Sequence, residues 1–195
     1  MSQIYLDNAA TTSVRKEVVE EMIKVLTNDF GNPSSTYSIG RHSKALIETA
    51  RKTIAKQFNV SSSEIIFTSC GTEGNNWIIR SAVRDLGVKR IITTKIEHHC
   101  TLYSIQQIQK EYGIEVVYLN ILPNSEIDYH QLEELLQAET PTLVSLMHVN
   151  NEVGTIQPIK EIAALAKPTL YFIQILYNLL EKWKYLWMKF QLTSS

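Results

Sequence analysis

The sequence lacks most of the features that mark secreted, membrane-spanning or nucleic-acid-binding proteins. Only two of its 195 residues are cysteines, Cys70 and Cys100, which is too few for a disulfide framework, so we expect a reducing, cytoplasmic location. The 19 basic and 20 acidic residues leave a formal net charge of −1, which gives no electrostatic reason to expect a nucleic-acid partner. The start of the chain has no basic stretch followed by an apolar run, so no signal peptide is expected.

Long uncharged apolar runs are also missing. Even after Lys167, where the chain becomes strongly apolar and aromatic, Gln174, Glu181 and several Lys interrupt the run. No segment approaches the ~20 apolar residues that a membrane-spanning helix needs, so no membrane partner is expected. There is no internal repeat, and the length suffices for one domain with a real core.

The sequence does contain a regular alternation of helix and strand patterns from residue 14 to residue 167. Apolar residues at helical spacing predict helices, and short β-branched or aromatic runs predict strands. Helices are predicted at 14–28, 41–59, 71–86, 101–112, 128–137 and 158–167, and strands at 64–69, 90–95, 114–120 and 142–149. This order predicts an α/β fold with a mainly parallel sheet and helices on both faces, in which ligands bind beyond the C-terminal ends of the strands.

The loop after the first predicted strand, TSCGTEGNN, places Gly71 and Thr72 where a strand turns into a helix. Free N–H groups at a helix N-terminus and a Thr hydroxyl together form an anion site, and glycine lets a phosphate approach the backbone. An ordinary helix cap, in which Thr72 satisfies its own helix, explains the same residues. The loop alone does not decide between these interpretations.

The loop after the second predicted strand, KIEHHCTL, contains His98, His99 and Cys100 in a row. Adjacent side chains on an extended segment point to opposite sides, which makes the two His a poor metal site, and no metal is expected. One His can face a pocket, whereas a surface or capping role is the alternative that we favour for His99. Cys100 is better explained as a small core residue than as a nucleophile.

The third loop, HVNNEVGTIQP, follows the strand predicted at 142–149. Its Asn side chains can donate and accept hydrogen bonds at once, which suits a cofactor oxygen or a substrate carboxylate. The alternative is that the Asn pair only forms a turn. Each loop is ambiguous by itself, but all three line the same end of one predicted sheet.

Five segments occur here in one order and spacing: IYLDNAATT, FGNPSS, EIIFTSCGTEGNN, EHHCTL and LVSLMHVNNEVGTIQPI. Together they closely resemble the cysteine desulfurases of the NifS and IscS kind, in the class V branch of the fold type I pyridoxal-phosphate enzymes. The resemblance covers about residues 4–167. It implies that residues 1–167 form a partial large domain of that fold, with residues 1–15 lining the site.

The resemblance also implies the chemistry and the site residues. The family removes sulfur from L-cysteine with pyridoxal 5'-phosphate, leaving L-alanine and a persulfide that feeds iron–sulfur cluster assembly. Gly71 and Thr72 would hold the cofactor phosphate. His98 would stack on the pyridine ring and assist proton transfer, and Asn151 would lie near the phenolic oxygen of the cofactor and the substrate carboxylate. Family members are homodimers that pass sulfur to acceptor and scaffold proteins.

The rest of the family pattern is not found. In the family, a strand ending in H-x-D-x-x-Q is followed by S-x-H-K, whose Lys attaches the cofactor covalently, and later by a catalytic Cys. No Asp follows Asp128 here and no His follows His148, and neither Cys70 nor Cys100 matches the nucleophile. We therefore expect this chain to lack the covalent Lys attachment and to be inactive alone.

The apolar tail offers an explanation. One codon choice for residues 171–184, read with one additional base in front, gives LFHTDTVQSIGKME, which contains the missing H-x-D-x-x-Q. We interpret residues 168–195 as an out-of-frame tail that follows a single-base frameshift near residues 167–170. The competing interpretation is a membrane-surface or partner-binding helix. Without the later strands of the family's sheet, one edge of the predicted sheet would be open. In both interpretations the tail has enough β-branched and aromatic residues to form a strand or helix that covers some of that edge.

Two other functional classes stay open from the sequence. One is a different class V enzyme, such as a selenocysteine lyase or a small-molecule aminotransferase. The other is a non-catalytic product, either a pseudogene fragment or a domain that only binds a partner.

Overall fold

The computed structural model describes residues 4–8, 10–165 and 170–175, with only the backbone for the last range. The chain divides into two compact units, with the boundary between Phe67 and Thr68. Within the described residues, no helix combines the length and apolar character that crossing a bilayer requires.

The first unit contains two helices and a short 3-10 turn. Helix α1 spans Lys16–Asn28, α2 spans Ser38–Phe58, and the 3-10 turn Ser62–Glu64 follows. The loop between the helices packs tightly on the start of α2, because a Cβ atom added to Gly40 would lie 2.5 Å from the carbonyl oxygen of Asn32. Only glycine allows this close approach.

Helix α1 has the predicted amphipathic pattern but no buried residue. Its large apolar side chains are exposed, including Met22 at 54 %, Ile23 at 59 % and Leu26 at 76 %. The periodicity thus predicts the helix correctly, whereas the burial that normally accompanies such a pattern is not found.

The second unit is built on a parallel sheet in the order β2-β1-β3-β4. Its strands are β1 (Arg90–Thr93), β2 (Glu115–Tyr118), β3 (Thr142–Met147) and β4 (Leu170–Ile175). Its helices are α3 (Gly71–Arg84), α4 (His99–Tyr112), α5 (Tyr129–Leu136) and α6 (Ile159–Ala164). Asp128 caps α5, as its side chain accepts a hydrogen bond from the Gln131 backbone N–H at 3.1 Å.

Helices cover both faces of this sheet, as the alternation of elements predicts. Neighbouring strand residues Ile91 and Ile92 are both fully buried but belong to different core clusters, because adjacent side chains on a strand point to opposite faces. The α3 and α4 side includes Ile79, Ile105, Ile108 and Leu143. The α5 and α6 side includes Leu132, Val144, Leu146 and Ile162.

The strand predicted at 64–69 is wrong. Ile65 has extended backbone angles, but residues 65–68 pair with no strand in the described chain, and Ile66 and Phe67 are 61 % and 48 % exposed. A β-strand is completed by hydrogen bonds to a neighbouring strand, and local sequence pattern carries no information about whether that neighbour is present.

Beyond Lys167, the structure describes only the backbone of residues 170–175. These residues form β4, which pairs in parallel with β3 from Thr142↔Leu170 to Met147↔Ile175. A strand covering this sheet edge was one of the two arrangements expected for the tail. The remaining tail predictions lie outside the described residues.

Candidate functional site

Three hydrogen bonds bring the predicted site loops together at one end of the sheet. Asn75, in the first turns of α3, donates to the Thr101 hydroxyl of α4 at 3.1 Å. The loop after β1 is tied to the end of β3 and to the loop that follows it: Met147 N donates to Glu97 Oε1 at 2.7 Å, and Asn150 Nδ2 donates to the Ile96 carbonyl oxygen at 2.6 Å. The loops that follow β1 and β3, which the rule on the carboxyl ends of parallel strands selects, are therefore in mutual contact.

Gly71 and Thr72 are the first two residues of α3, and both are exposed. The capping position before them is Cys70, whose side chain makes no capping hydrogen bond of ordinary geometry, although the nearby Glu73 backbone N–H lowers the pKa of its thiol. Thr72 therefore lies within the helix and is not its cap, which disagrees with the alternative interpretation of this loop. Because the first N–H groups of a helix have no partner inside it, this terminus presents uncapped donors beside a hydroxyl.

The acidic residue of the same turn is directed elsewhere. Glu73 Oε2 accepts a hydrogen bond from the Ser69 backbone N–H at 2.5 Å. This contact with Ser69 lowers the pKa of the Glu73 carboxyl. The carboxylate is thus held on the preceding loop by a specific partner, and the α3 amides keep the positive end of the helix dipole.

His98 is the capping residue of α4 and is half-buried. Its Nδ1 accepts a hydrogen bond from the Cys100 backbone N–H at 3.2 Å, which fixes the ring relative to the helix. The prediction that His98 and His99 share an extended segment is wrong, since His99 is already the first helical residue. His99 is exposed and stacks on Tyr103 with ring centroids 6.1 Å apart, which agrees with the surface role favoured for it.

Cys100 is half-buried and lies among polar partners, not in either core cluster. Its Sγ is 3.0 Å from His98 Nδ1 and 3.3 Å from Asn75 Nδ2. The expectation that this cysteine is a small core residue is therefore wrong, because the turn that begins α4 brings its side chain back to the His98 ring.

Glu97 is a buried residue that the sequence interpretation missed. It is 6 % exposed, and its Oε1 accepts hydrogen bonds from Met147 N and from the Thr94 hydroxyl at 3.3 Å. Its Oε2 is buried and has no hydrogen-bond partner among the described residues. Burial raises the pKa of the Glu97 carboxyl to about 7, so a proton is bound there over most of the acidic range.

The two Asn residues of the third loop have different positions. Asn150 is 5 % exposed and builds the turn, since its Oδ1 accepts from Glu152 N at 2.8 Å and Val153 N at 3.0 Å. Asn151, the residue predicted to contact the cofactor, is exposed in the turn. The turn interpretation thus describes Asn150, while Asn151 remains accessible to a ligand.

The described residues 4–8 and 10–15, which are predicted to line the site, are exposed and belong to the first unit. Their predicted role at the site stays a prediction.

Comparison with known proteins supplies the family context for this site. A family model described as "Aminotransferase class-V" matches residues 4–173. The chain is 47 % identical over 173 residues to a cysteine desulfurase IscS of Methanosarcina thermophila, and 45 % identical over 173 residues to one of Dictyoglomus turgidum. Both alignments cover 87 % of this chain, but only 42 % and 43 % of the relatives. The chain therefore spans less than half the length of these curated relatives.

Solved structures agree with this assignment. A structure described as a NifS-like protein matches with a TM-score of 0.81 at 36 % identity, covering 88 % of this chain and 48 % of the other. A structure described as SspA in complex with cysteine matches with a TM-score of 0.79 at 34 % identity, covering 87 % of this chain and 49 % of the other.

Proposed function

Because the chain belongs to the aminotransferase class-V family, we propose that it carries part of a cysteine desulfurase, with pyridoxal 5'-phosphate as cofactor and L-cysteine as substrate. The reaction leaves L-alanine and transfers the sulfur as a persulfide for iron–sulfur cluster assembly. The observation that carries the proposal is the hydrogen-bond set joining the loops of Gly71, His98 and Asn151. The cysteine bound in the SspA structure supports the choice of substrate.

The N-terminus of α3 fits the phosphate of this cofactor. Its uncapped amides and the Thr72 hydroxyl form a donor set without a carboxylate aimed at it, because Glu73 is held on Ser69. A phosphate dianion at this position gains both hydrogen bonds and the favourable end of the helix dipole. Gly71 adds no side chain between the ligand and the backbone.

His98 and Asn151 have complementary roles in the proposal. When bound, the cofactor supplies an electron sink for the bond that is broken. His98 packs its ring against the pyridine ring and moves a proton to or from the substrate, in an orientation fixed by the Cys100 N–H. Asn151 would orient the phenolic oxygen and the substrate carboxylate.

The whole reaction needs groups that we place outside residues 1–167. We propose that residues 168–195 are out of frame, so that this chain lacks the Lys that attaches the cofactor and the Cys that accepts sulfur. The whole enzyme would be a homodimer that passes sulfur to acceptor and scaffold proteins. The 195-residue chain is then expected to bind the cofactor non-covalently and to release no sulfide from L-cysteine.

A binding experiment tests the cofactor proposal. Pyridoxine 5'-phosphate is a suitable probe because it has no aldehyde and cannot react with surface lysines. Calorimetric titration of the chain should detect saturable binding, lost with pyridoxine, which has no phosphate. Replacing Thr72 by Val should weaken binding about tenfold, equivalent to about 1.4 kcal/mol. Thr53→Val, on α2, is the matched control and should not change it. Equal binding of both probes would contradict the phosphate site.

A second experiment tests the activity and the reading frame. Sequencing the locus should reveal H-x-D-x-x-Q and S-x-G-K codons in the shifted frame after residue 170. A protein with the restored frame should release sulfide from L-cysteine, whereas the 195-residue chain should not. A restored protein that instead acts only on selenocysteine, or only exchanges amino groups, would favour another class V enzyme.

A further inference from the structure

Cys100 lies in a setting that differs from that of an ordinary structural cysteine. It occupies the first turn of α4, and its Sγ contacts an imidazole nitrogen at 3.0 Å and an amide nitrogen at 3.3 Å. The Thr101 hydroxyl lies 4.0 Å from the same sulfur. The residue as a whole is half-buried, not fully enclosed.

The hydrogen bonds define the direction in which the thiol proton can move. Nδ1 of His98 accepts the Cys100 backbone N–H at 3.2 Å, so its single lone pair faces Cys100, and on taking the thiol hydrogen it gives up this backbone N–H. Asn75 donates its side-chain N–H to the sulfur and to the Thr101 hydroxyl. Once the proton has moved to His98, the amide donor and the N-terminal end of α4 both stabilise the negative sulfur.

The other cysteine provides an internal comparison. Cys70 is exposed at the capping position of α3, and its Sγ lies 3.8 Å from the Ser69 hydroxyl. The backbone N–H of Glu73 and the Ser69 hydroxyl lower the pKa of the Cys70 thiol. Neither is a base that can take a proton, whereas the sulfur of Cys100 has the base His98 in direct contact.

A nucleophilic sulfur, a base in contact with it and a third group that orients the sulfur form the arrangement of activated cysteines. We propose that Cys100 is a covalent-modification site, at which His98 takes the thiol proton and the sulfur reacts with a small peroxide. The sulfur–oxygen bond forms as the peroxide O–O bond breaks. Sulfur is oxidised to a sulfenic acid, and the departing hydroxide takes the proton from His98 and leaves as water.

Oxidation of Cys100 is also expected to weaken ligand binding at the proposed cofactor site. The added oxygen lies on the sulfur that contacts the His98 ring, so it displaces the ring or blocks its face. This consequence rests on the proposed function, in which His98 stacks on the pyridine ring, whereas the oxidation itself does not. Peroxide treatment is expected to weaken pyridoxine 5'-phosphate binding severalfold in the unmodified chain and not in Cys100→Ser.

The test measures sulfenic acid at both cysteines in the full 195-residue chain. The protein is treated with hydrogen peroxide in the presence of dimedone, which traps sulfenic acids, and adducts are quantified by peptide mass spectrometry. His98→Asn keeps a side-chain oxygen that can cap α4 but removes the base. Adduct formation at Cys100 should be at least about tenfold slower in this variant, while the rate at Cys70 stays unchanged.

Two further outcomes complete the test. A changed rate of adduct formation at Cys70 and a changed circular dichroism spectrum would show that His98→Asn does not fold. In that case Asn75→Ala is used instead, and it should slow adduct formation at Cys100 at least about threefold. Equal Cys100 rates in the folded variant and the wild type, or adducts confined to Cys70, would overturn the proposal. If Cys100 forms the expected adduct while pyridoxine 5'-phosphate binding stays unchanged, that result would support the modification site and contradict the proposed cofactor role of His98.

Discussion

The two units of this protein bury their apolar residues very differently. In the second unit, Ile91 and Ile92 are fully buried on opposite faces of one parallel sheet. In the first unit, the apolar residues of α1 recur at helical spacing, but the side chains of Met22, Ile23 and Leu26 are more than half exposed. This contrast indicates that helical periodicity predicts where a helix forms, whereas the stability of the helix depends on the packing partner that covers its apolar face.

The largest expected effect follows from this contrast. Ile92→Ala removes a fully buried side chain beneath α5 and α6 and should lower the free energy of unfolding by roughly 2–5 kcal/mol. Met22→Ala removes a side chain of similar size from an exposed position and should change it by less than about 0.5 kcal/mol. Urea unfolding measures both. If Ile92→Ala does not fold, the milder variant Ile92→Val should still lower the free energy of unfolding by about 0.5–1.5 kcal/mol. Similar losses at both positions would show that α1 is buried in solution.

A pH effect of comparable size is expected at Glu97. Burial raises the carboxyl pKa from its ordinary 4.5 to about 7, so the folded chain holds a proton that the unfolded chain releases between these values. At this carboxyl the unfolded state therefore binds fewer protons in this window, and the contribution of Glu97 to stability falls as pH rises from about 4.5 to about 7. The fall should approach about 3 kcal/mol.

Glu97→Gln isolates this contribution. The Gln amide resembles the protonated carboxyl and keeps an oxygen for the Met147 N–H. The unfolding free energy of the variant should therefore fall less than that of the wild type as pH rises from about 4.5 to about 7. Urea unfolding at several pH values supplies the comparison. An unchanged pH profile would mean that another group causes the dependence.

The smallest effect compares two glycines at helix starts, one in each unit. Gly40→Ala places a Cβ atom 2.5 Å from the Asn32 carbonyl oxygen, so it should destabilise the protein by about 1–3 kcal/mol. Gly74→Ala meets only the Thr68 hydroxyl at 3.6 Å, an ordinary contact, and should stabilise α3 by about 0.5–1 kcal/mol. Thermal unfolding should therefore shift in opposite directions, and a shift in the same direction would contradict the tight packing at Gly40.

Much of the fold could be predicted because its signals are local. The helices, β1, β2 and β3 follow from periodicity and lie within a few residues of their predicted bounds. The strand predicted at 64–69 failed because strand formation depends on a partner elsewhere in the chain. A surface or capping role was favoured for His99, but the residue that caps α4 is His98. The sequence EHH contains no residue type that marks where this helix begins.

In the candidate site, too, features set by local sequence could be predicted, whereas contacts between distant residues could not. The rule about strand ends selects the loops of His98 and Asn151, which follow β1 and β3. It selects the loop of Gly71 and Thr72 only through the strand predicted at 64–69, which these described residues do not form. The side chains that join these loops could not be predicted from the sequence, because their partners are distant along the chain. Glu97 accepts from a backbone N–H 50 residues away, and Asn150 donates to a carbonyl oxygen 54 residues away. Any buried Glu or Asn can find such a partner, and nothing in the neighbouring sequence identifies it.

The most direct test of the central claim is a heteronuclear NMR titration of the 195-residue chain with pyridoxine 5'-phosphate. We expect the resonances of the Gly71 and Thr72 backbone amides, the His98 ring and the Asn151 side chain to shift together and to saturate at one concentration, while those of the α1 amides do not shift. Saturable binding without a shift at Gly71 and Thr72, or with shifts confined to the first unit, would contradict it.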